Sequence, residues 1–258
     1  MKVVIFAGGI GSRISEESFL KPKPLIEIGD KPMLWHIMKI FSAQGFNEFV
    51  ICLGYKGHLI KEYFANYFIN NSDLTVDVAK NKIQIHQSSS EQFIVTLAQT
   101  GMETKTAGRL KRVQEYLGNE KFFLTYGDGL ADLDLHALIA FHDQHKKTAT
   151  VTAVQPEGRF GGIEMNEEGK VLSFKEKPVG DGHWINGGFF VLNPDVFSYL
   201  DEKADEQMWE EEPILKLEHA QQLMAFKHHG FWRCMDAMRD KVVLEEMWNS
   251  GAAKWKMW

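Results

Sequence analysis

The feature that most limits what this chain can fold into is the junction near its start, where the apolar run Val3 to Ala7 meets Gly8-Gly9-Ile10-Gly11-Ser12-Arg13. Lys2 to Ala7 reads as a buried strand, and glycines directly after a strand let the main chain approach a ligand closely. Successive amide groups of such a loop can line an anion-binding concavity, and Arg13 adds a guanidinium able to hold phosphate with two parallel hydrogen bonds. The spacing is not that of a Walker A loop. It also misses the dinucleotide fingerprint, because Ile14 stands where the third glycine belongs. The plainer alternative is a tight turn at Gly8 and Gly9 with Arg13 on the surface.

The rest of the first half alternates short apolar runs with helical periodicity, the pattern of a sheet with crossover helices. Leu34, Ile37, Met38 and Phe41 fall on one helical face, predicting a helix over 32–44 that stops at Gly45. Strands are expected at Glu48 to Leu53 and Lys121 to Tyr126, and helices at His58 to Ile69, 107–117 and Leu135 to His145. Leu74 to Val78 and Lys82 to Gln87 suggest an antiparallel excursion. Beyond residue 156 come Gly162 to Met165, Val171 to Glu176 and Phe189 to Leu192 as strands. The acidic run Asp205 to Glu212 is expected to open a helix reaching His219, with Glu210, Glu211 and Glu212 as its solvated first turn, and a last helix is expected over Ala237 to Trp248. No linker or repeat divides the chain, so one α/β domain is expected: a nucleotide-binding core over 1–155 and an acceptor-binding part over 156–258.

Composition narrows the function. The net charge of −6 argues against a nucleic-acid-binding surface. No run approaches the roughly 18 apolar residues of a membrane span, and Cys52 and Cys234 have neither metal-site spacing nor a disulfide framework. A cytoplasmic protein is expected. The histidines show no zinc pattern, and no serine sits in a hydrolase elbow.

Three further residues carry chemistry. Lys21-Pro22-Lys23-Pro24 holds Lys23 on a backbone stiffened by two prolines, where it could neutralise a reacting phosphate; it could equally be a solvated loop. Asp128 ends a strand between Gly127 and Gly129, the place where open α/β sheets present ligands, and a carboxylate there suits Mg²⁺; Asp-Gly is also a common turn. Asp236 precedes the last helix, either as its N-cap or as a metal ligand. Trp255 and Trp258 are expected to be exposed and to mark a subunit contact.

The sequence Phe6-Ala7-Gly8-Gly9-x-Gly11-Ser12-Arg13, with Lys21-Pro22-Lys23-Pro24 and Leu34-Trp35-His36, resembles the sugar-phosphate nucleotidyltransferase family. Gly54-Tyr55-Lys56-Gly57, Thr106-Ala107-Gly108-Arg109, Tyr126-Gly127-Asp128-Gly129, Phe174-Lys175-Glu176-Lys177-Pro178 and Ile185-Asn186-Gly187-Gly188 bring it nearest to the glucose-1-phosphate cytidylyltransferases. Ser12 and Phe6 replace the threonine and leucine frequent there.

That resemblance implies a Rossmann-like α/β fold with a mixed, mostly parallel central sheet, CTP and glucose 1-phosphate as substrates, and a homo-oligomer. It implies that Phe6, Ala7, Gly8, Gly9, Ile10, Gly11, Ser12, Arg13, Thr106, Gly108 and Arg109 bind the nucleotide, with Arg13 and Lys23 catalytic. Lys23, Gly161, Glu176, Lys177, Asn186 and Gly187 would bind the sugar phosphate, and Asp128 and Asp236 would hold Mg²⁺. The rival readings are a related transferase using UTP, dTTP or another sugar phosphate, a non-catalytic nucleotide-sugar sensor, and a glycosyltransferase built on Asp132-Leu133-Asp134. That last motif falls where a cap for the 135–145 helix is expected.

Overall fold

The computed structural model describes residues 1–9, 11, 14–156, 162–175 and 183–258. Its centre is a seven-stranded sheet formed by β1 (Val3–Ala7), β2 (Glu48–Leu53), β3 (Ile94–Gln99), β4 (Phe122–Tyr126), β5 (Ala149–Val154), β6 (Ile185–Leu192) and β7 (Leu223–His228). The spatial order is β7-β5-β6-β4-β1-β2-β3. All neighbours run parallel except β6, which is antiparallel to both β4 and β5. The fold is α/β and Rossmann-like, with a mixed, mostly parallel sheet.

Every residue of β1 is buried, as a strand covered on both faces must be. Side chains alternate between two cores: Val3, Ile5 and Ala7 join one, Val4 and Phe6 the other. Helix α1 (Met33–Ser42) packs Leu34, Ile37, Met38 and Phe41 into the first core, and Gly45 follows at φ 90°. Helix α3 (Thr106–Arg112), which follows α2 (Gly57–Ala65), buries Ala107 and Leu110 in the second core. In chain order β1, β2 and β3 step outward one way and β4 returns to the other side of β1, so the order reverses between β1 and β4. Ligands bind above such a reversal, at the carboxyl ends of the strands.

Some predicted elements differ. The single helix expected over 58–69 breaks at Asn66 into α2 and a turn, Tyr67–Asn70. The 107–117 helix ends at Arg112 and is followed by a 3₁₀ turn, Gln114–Tyr116. Asp134 caps α4 (Leu135–His145) by accepting from the Ala137 amide, so Asp132-Leu133-Asp134 serves the helix as expected. The acidic run opens the helix only with its last residue, Glu212. It makes a 3₁₀ turn, Ala204–Glu206, and α5 (Glu212–His219) starts only where Pro213 supplies the φ a first turn favours.

The expected exposure of the last tryptophans is overturned for Trp255, while Trp258 is half-buried. Trp255 is fully buried, stacked on Phe231 and Trp248, with its indole Nε1 3.4 Å from His36 Nδ1; Trp258 packs edge-on against Trp35. The segment folds back over α1 because His36 and Trp35 offer it a polar partner and an aromatic wall. Among the described residues no helix is long and apolar enough to cross a membrane.

Candidate active site

At the carboxyl ends of β1 and β4 lies a cavity of about 680 Å³, lined by Ala7, Gly9, Lys23, Thr106, Asp128 and Asp236 among others. Lys23 opens a short 3₁₀ turn, Lys23–Leu25, with Pro22 and Pro24 fixing the backbone on either side of it and Leu25 buried beneath. Its Nζ stands 2.5 Å from Asp128 Oδ2 and 2.8 Å from Asp236 Oδ1. Burial works to lower the Lys23 pKa, but the charges and hydrogen bonds of the two aspartates outweigh it and raise it above the ordinary lysine value.

Two carboxylates more than a hundred positions apart meet here because of a small ribbon. Gly129–Ala131 pairs antiparallel with Trp232–Cys234, with Cys234 opposite Gly129. The Met235 amide then donates to the Asp128 carbonyl at 2.8 Å, which sets Asp128 and Asp236 side by side. Asp236 is not the N-cap of α6 (Met238–Asn249). Ala237 holds that position, Asp240 in the first turn reaches back to accept from the Asp236 and Ala237 amides, and the Asp236 side chain is left to reach Lys23.

The glycine loop is braced from below. Arg109 is buried, and its guanidinium donates to the carbonyls of Leu53 (3.1 Å), Gly101 (3.0 Å) and Gly8 (3.2 Å) and to Thr100 Oγ1 (2.8 Å). A Cβ on Gly8 would lie 2.2 Å from Arg109 Nη1, so a side chain there would displace the brace. Gly11 sits at φ +71°, in the left-handed region glycine favours, and accepts a hydrogen bond from Ser18 Oγ.

The residues singled out in the sequence therefore divide. Phe6, Ala7, Gly9, Gly11, Lys23, Thr106, Asp128, Asn186 and Asp236 line one cavity. Gly8 and Arg109 lie under it, while Gly108 packs against Asp205 and Gly187 accepts from Trp232 Nε1 at 2.7 Å beside a smaller recess. Ile10, Ser12, Arg13, Gly161, Glu176 and Lys177 lie outside the described residues.

Three cavity residues escaped the sequence reading: Tyr126, Met208 and Glu210. Glu210 is not in a solvated first helical turn; it faces the cavity and accepts from Thr106 Oγ1 at 3.0 Å. The available signal was Trp209, a large apolar residue inside an acidic run, which is fully buried and anchors that segment.

The model of the nucleotidyl transferase family matches residues 2–239. The chain belongs to the nucleotidyl transferase family. It is 55% identical over 259 residues to the glucose-1-phosphate cytidylyltransferase of Salmonella typhi, covering the whole of both chains. It is 30% identical over 252 residues to the catalytic subunit beta of mannose-1-phosphate guanylyltransferase from Dictyostelium discoideum, covering 96% of this chain and 64% of that one. Among solved structures, a UDP-glucose pyrophosphorylase complexed with UDP-glucose superposes with a TM-score of 0.68 at 16% identity, over 97% of this chain and 98% of that one. HddC from Yersinia pseudotuberculosis does so with a TM-score of 0.62 at 23% identity, over 96% and 99%. These two likenesses speak for the fold alone.

For a nucleotidyl transferase the donor set at the base of the cavity fits a divalent cation. Asp128 and Asp236 already converge on one positive centre, the Lys23 ammonium, with no third carboxylate, histidine or cysteine joining them among the described residues. Two carboxylates leave the remaining positions of a hard cation to water and phosphate oxygens.

Proposed function

We propose that this chain is a glucose-1-phosphate cytidylyltransferase, converting CTP and glucose 1-phosphate to CDP-glucose and pyrophosphate. What carries the substrate reading is the 55% identity to the Salmonella typhi enzyme across the full length of both chains. The chemistry is supported by the convergence of Lys23, Asp128 and Asp236 beneath the glycine loop.

A phosphate oxygen of the sugar 1-phosphate attacks the α-phosphorus of the triphosphate, and pyrophosphate leaves. The attacking phosphate is already anionic, so positioning and charge neutralisation do the work that a general base does elsewhere. Gly8, Gly9 and Gly11, with Ile10, Ser12 and Arg13, hold the triphosphate, while Phe6, Ala7, Thr106 and Gly108 frame the nucleoside. Arg109 keeps the loop in place. Lys23 is held protonated by its carboxylate neighbours and neutralises charge on the reacting phosphorus. Asn186 and Gly187, with Gly161, Glu176 and Lys177, receive the sugar phosphate. Asp128 and Asp236 would hold Mg²⁺, which supplies charge neutralisation to the phosphate oxygens.

The enzyme is further read as a cytoplasmic homo-oligomer formed from one functional unit per chain. Its free cysteines suit a reducing compartment. Its hairpin Ser72–Asp77 and Lys82–Ser88 exposes Val76, Val78 and Ile83, apolar surface suited to a second copy.

The test is pyrophosphate release with Mg²⁺ and glucose 1-phosphate, run in parallel with CTP, UTP, dTTP, ATP and GTP. Release dominated by CTP supports the reading. Dominance of another triphosphate overturns the base assignment, and silence with all five across a panel of sugar phosphates overturns the activity.

A further inference from the structure

Glu210 is held more firmly than its acidic neighbourhood suggests. The preceding Trp209 is fully buried against Phe190, ring centroids 5.8 Å apart, and its amide donates to Thr106 Oγ1 at 2.7 Å. With that oxygen accepting, the single hydroxyl proton of Thr106 is directed to Glu210 Oε2, 3.0 Å away. From the other side the Tyr126 phenol, whose oxygen accepts from Asn186 Nδ2 at 3.3 Å, lies within reach of the Glu210 charge. Burial first, and then the Glu210 charge, push the Tyr126 pKa up, so the phenol keeps its proton.

One chain of hydrogen bonds thus runs from Trp209 through Thr106 to Glu210, and beside it Asn186 donates to the Tyr126 phenol. A carboxylate offers about four acceptor sites and donates nothing. Thr106 fills one, and among the described residues no cation pairs with it, although it lines the cavity. Such a group repels phosphate and attracts uncharged donors. Glu210 lines the same cavity as Lys23, Asp128 and Asp236, the cavity in which the reading above seats the rings attached to the phosphates.

We propose that Glu210 is a specificity-determining residue, whose carboxylate accepts hydrogen bonds from the hydroxyls of a sugar ring bound in the cavity. Two rings carry that chemistry, the ribose of the nucleotide and the hexose of the sugar phosphate. The assignment rests on the cytidylyltransferase reading above.

The experiment compares wild type with Glu210→Gln in kcat/KM for CTP, its 2′-deoxy and 3′-deoxy analogues and UTP, and for glucose 1-phosphate and its 2-deoxy and 3-deoxy analogues. A hydrogen bond to a charged acceptor is worth enough that removing the donor costs wild type on the order of ten- to a hundredfold. The expected result is that wild type shows such a penalty for one deoxy position and that Glu210→Gln erases it there, leaving the CTP-to-UTP ratio unchanged. The arm that responds identifies the ring. The inference is overturned if the variant keeps every wild-type deoxy penalty, if wild type shows none, or if the change falls on the CTP-to-UTP ratio. Should Glu210→Gln not fold, Glu210→Asp, which shortens the reach by one methylene, is read by the same ratios. A wild type that rejects CTP defeats the cytidylyltransferase reading separately, and the comparison is then made with whichever triphosphate it accepts.

Discussion

Lys23 is the residue on which the site turns, because its ammonium pairs with both aspartates. Asp128→Asn keeps the shape of the side chain and removes its charge. Turnover at saturating substrate should fall on the order of 10²–10³-fold, the scale of losing one electrostatic stabiliser, while glucose 1-phosphate binding measured by calorimetry changes little. Unchanged turnover would defeat the metal role. That Lys23, Asp128 and Asp236 belong to one site was legible through the family resemblance, since the local context of each, a proline-stiffened turn, a strand end and the approach to a helix, also allowed a purely structural reading. Glu210 and Tyr126 were not, since their meaning arises only when α3, β4 and the segment before α5 meet across the cavity.

At the scale of elements, the glycine loop depends on a brace from α3. Arg109 reaches past β2 to tie the loop to the carbonyl end of that strand, so its role is to shape the loop from beneath. Arg109→Lys retains the charge but loses the planar fork, leaving some of the Leu53, Gly101 and Gly8 carbonyls without partners. Stability should fall by about 2–4 kcal/mol in urea denaturation, with KM for the triphosphate rising more than KM for the sugar phosphate. A Cβ on Gly54 would meet the Gly8 carbonyl oxygen and Arg109 Nη1, each at 2.6 Å. Gly54→Ala should therefore produce the same KM pattern with Arg109 intact, and a variant with wild-type KM values would show that the loop does not need the brace. Sequence alone showed a glycine loop and a basic cluster near residue 109. It could not show that the cluster's first member faces inward, because most of its partners are backbone carbonyls, which leave no mark in residue type.

For the whole molecule, the return of the chain to its first helix makes stability depend on pH. His36 is buried, with Nε2 2.9 Å from the Ile28 carbonyl and Nδ1 facing Trp255 Nε1, so the neutral ring donates from one nitrogen and accepts at the other. Burial depresses its pKa to about 4. Between that value and the ordinary value near 6.5, the unfolded chain binds a proton that the folded chain does not. Stability should therefore be complete above about pH 6.5 and decline by on the order of 3 kcal/mol as pH falls toward 4. His36→Gln should flatten that slope in denaturation series taken across this range, and an unchanged slope would contradict it. Trp255→Ala, which empties the space between Phe231 and Trp248, should cost about 3–5 kcal/mol. The parallel sheet was legible from β1, β2 and β4 as apolar runs at regular intervals. The closure by Trp255 was not, because a tryptophan near a chain end reads as surface until its partner, 219 positions earlier, is known. All of these elements present one cavity in which a sugar phosphate attacks the α-phosphorus of a triphosphate. The most direct measurement follows the oxygens of glucose 1-phosphate whose phosphate is labelled with ¹⁸O, using mass spectrometry of the products formed with CTP. The label should appear wholly in CDP-glucose, with unlabelled pyrophosphate; label in pyrophosphate, or no CDP-glucose at all, would contradict it.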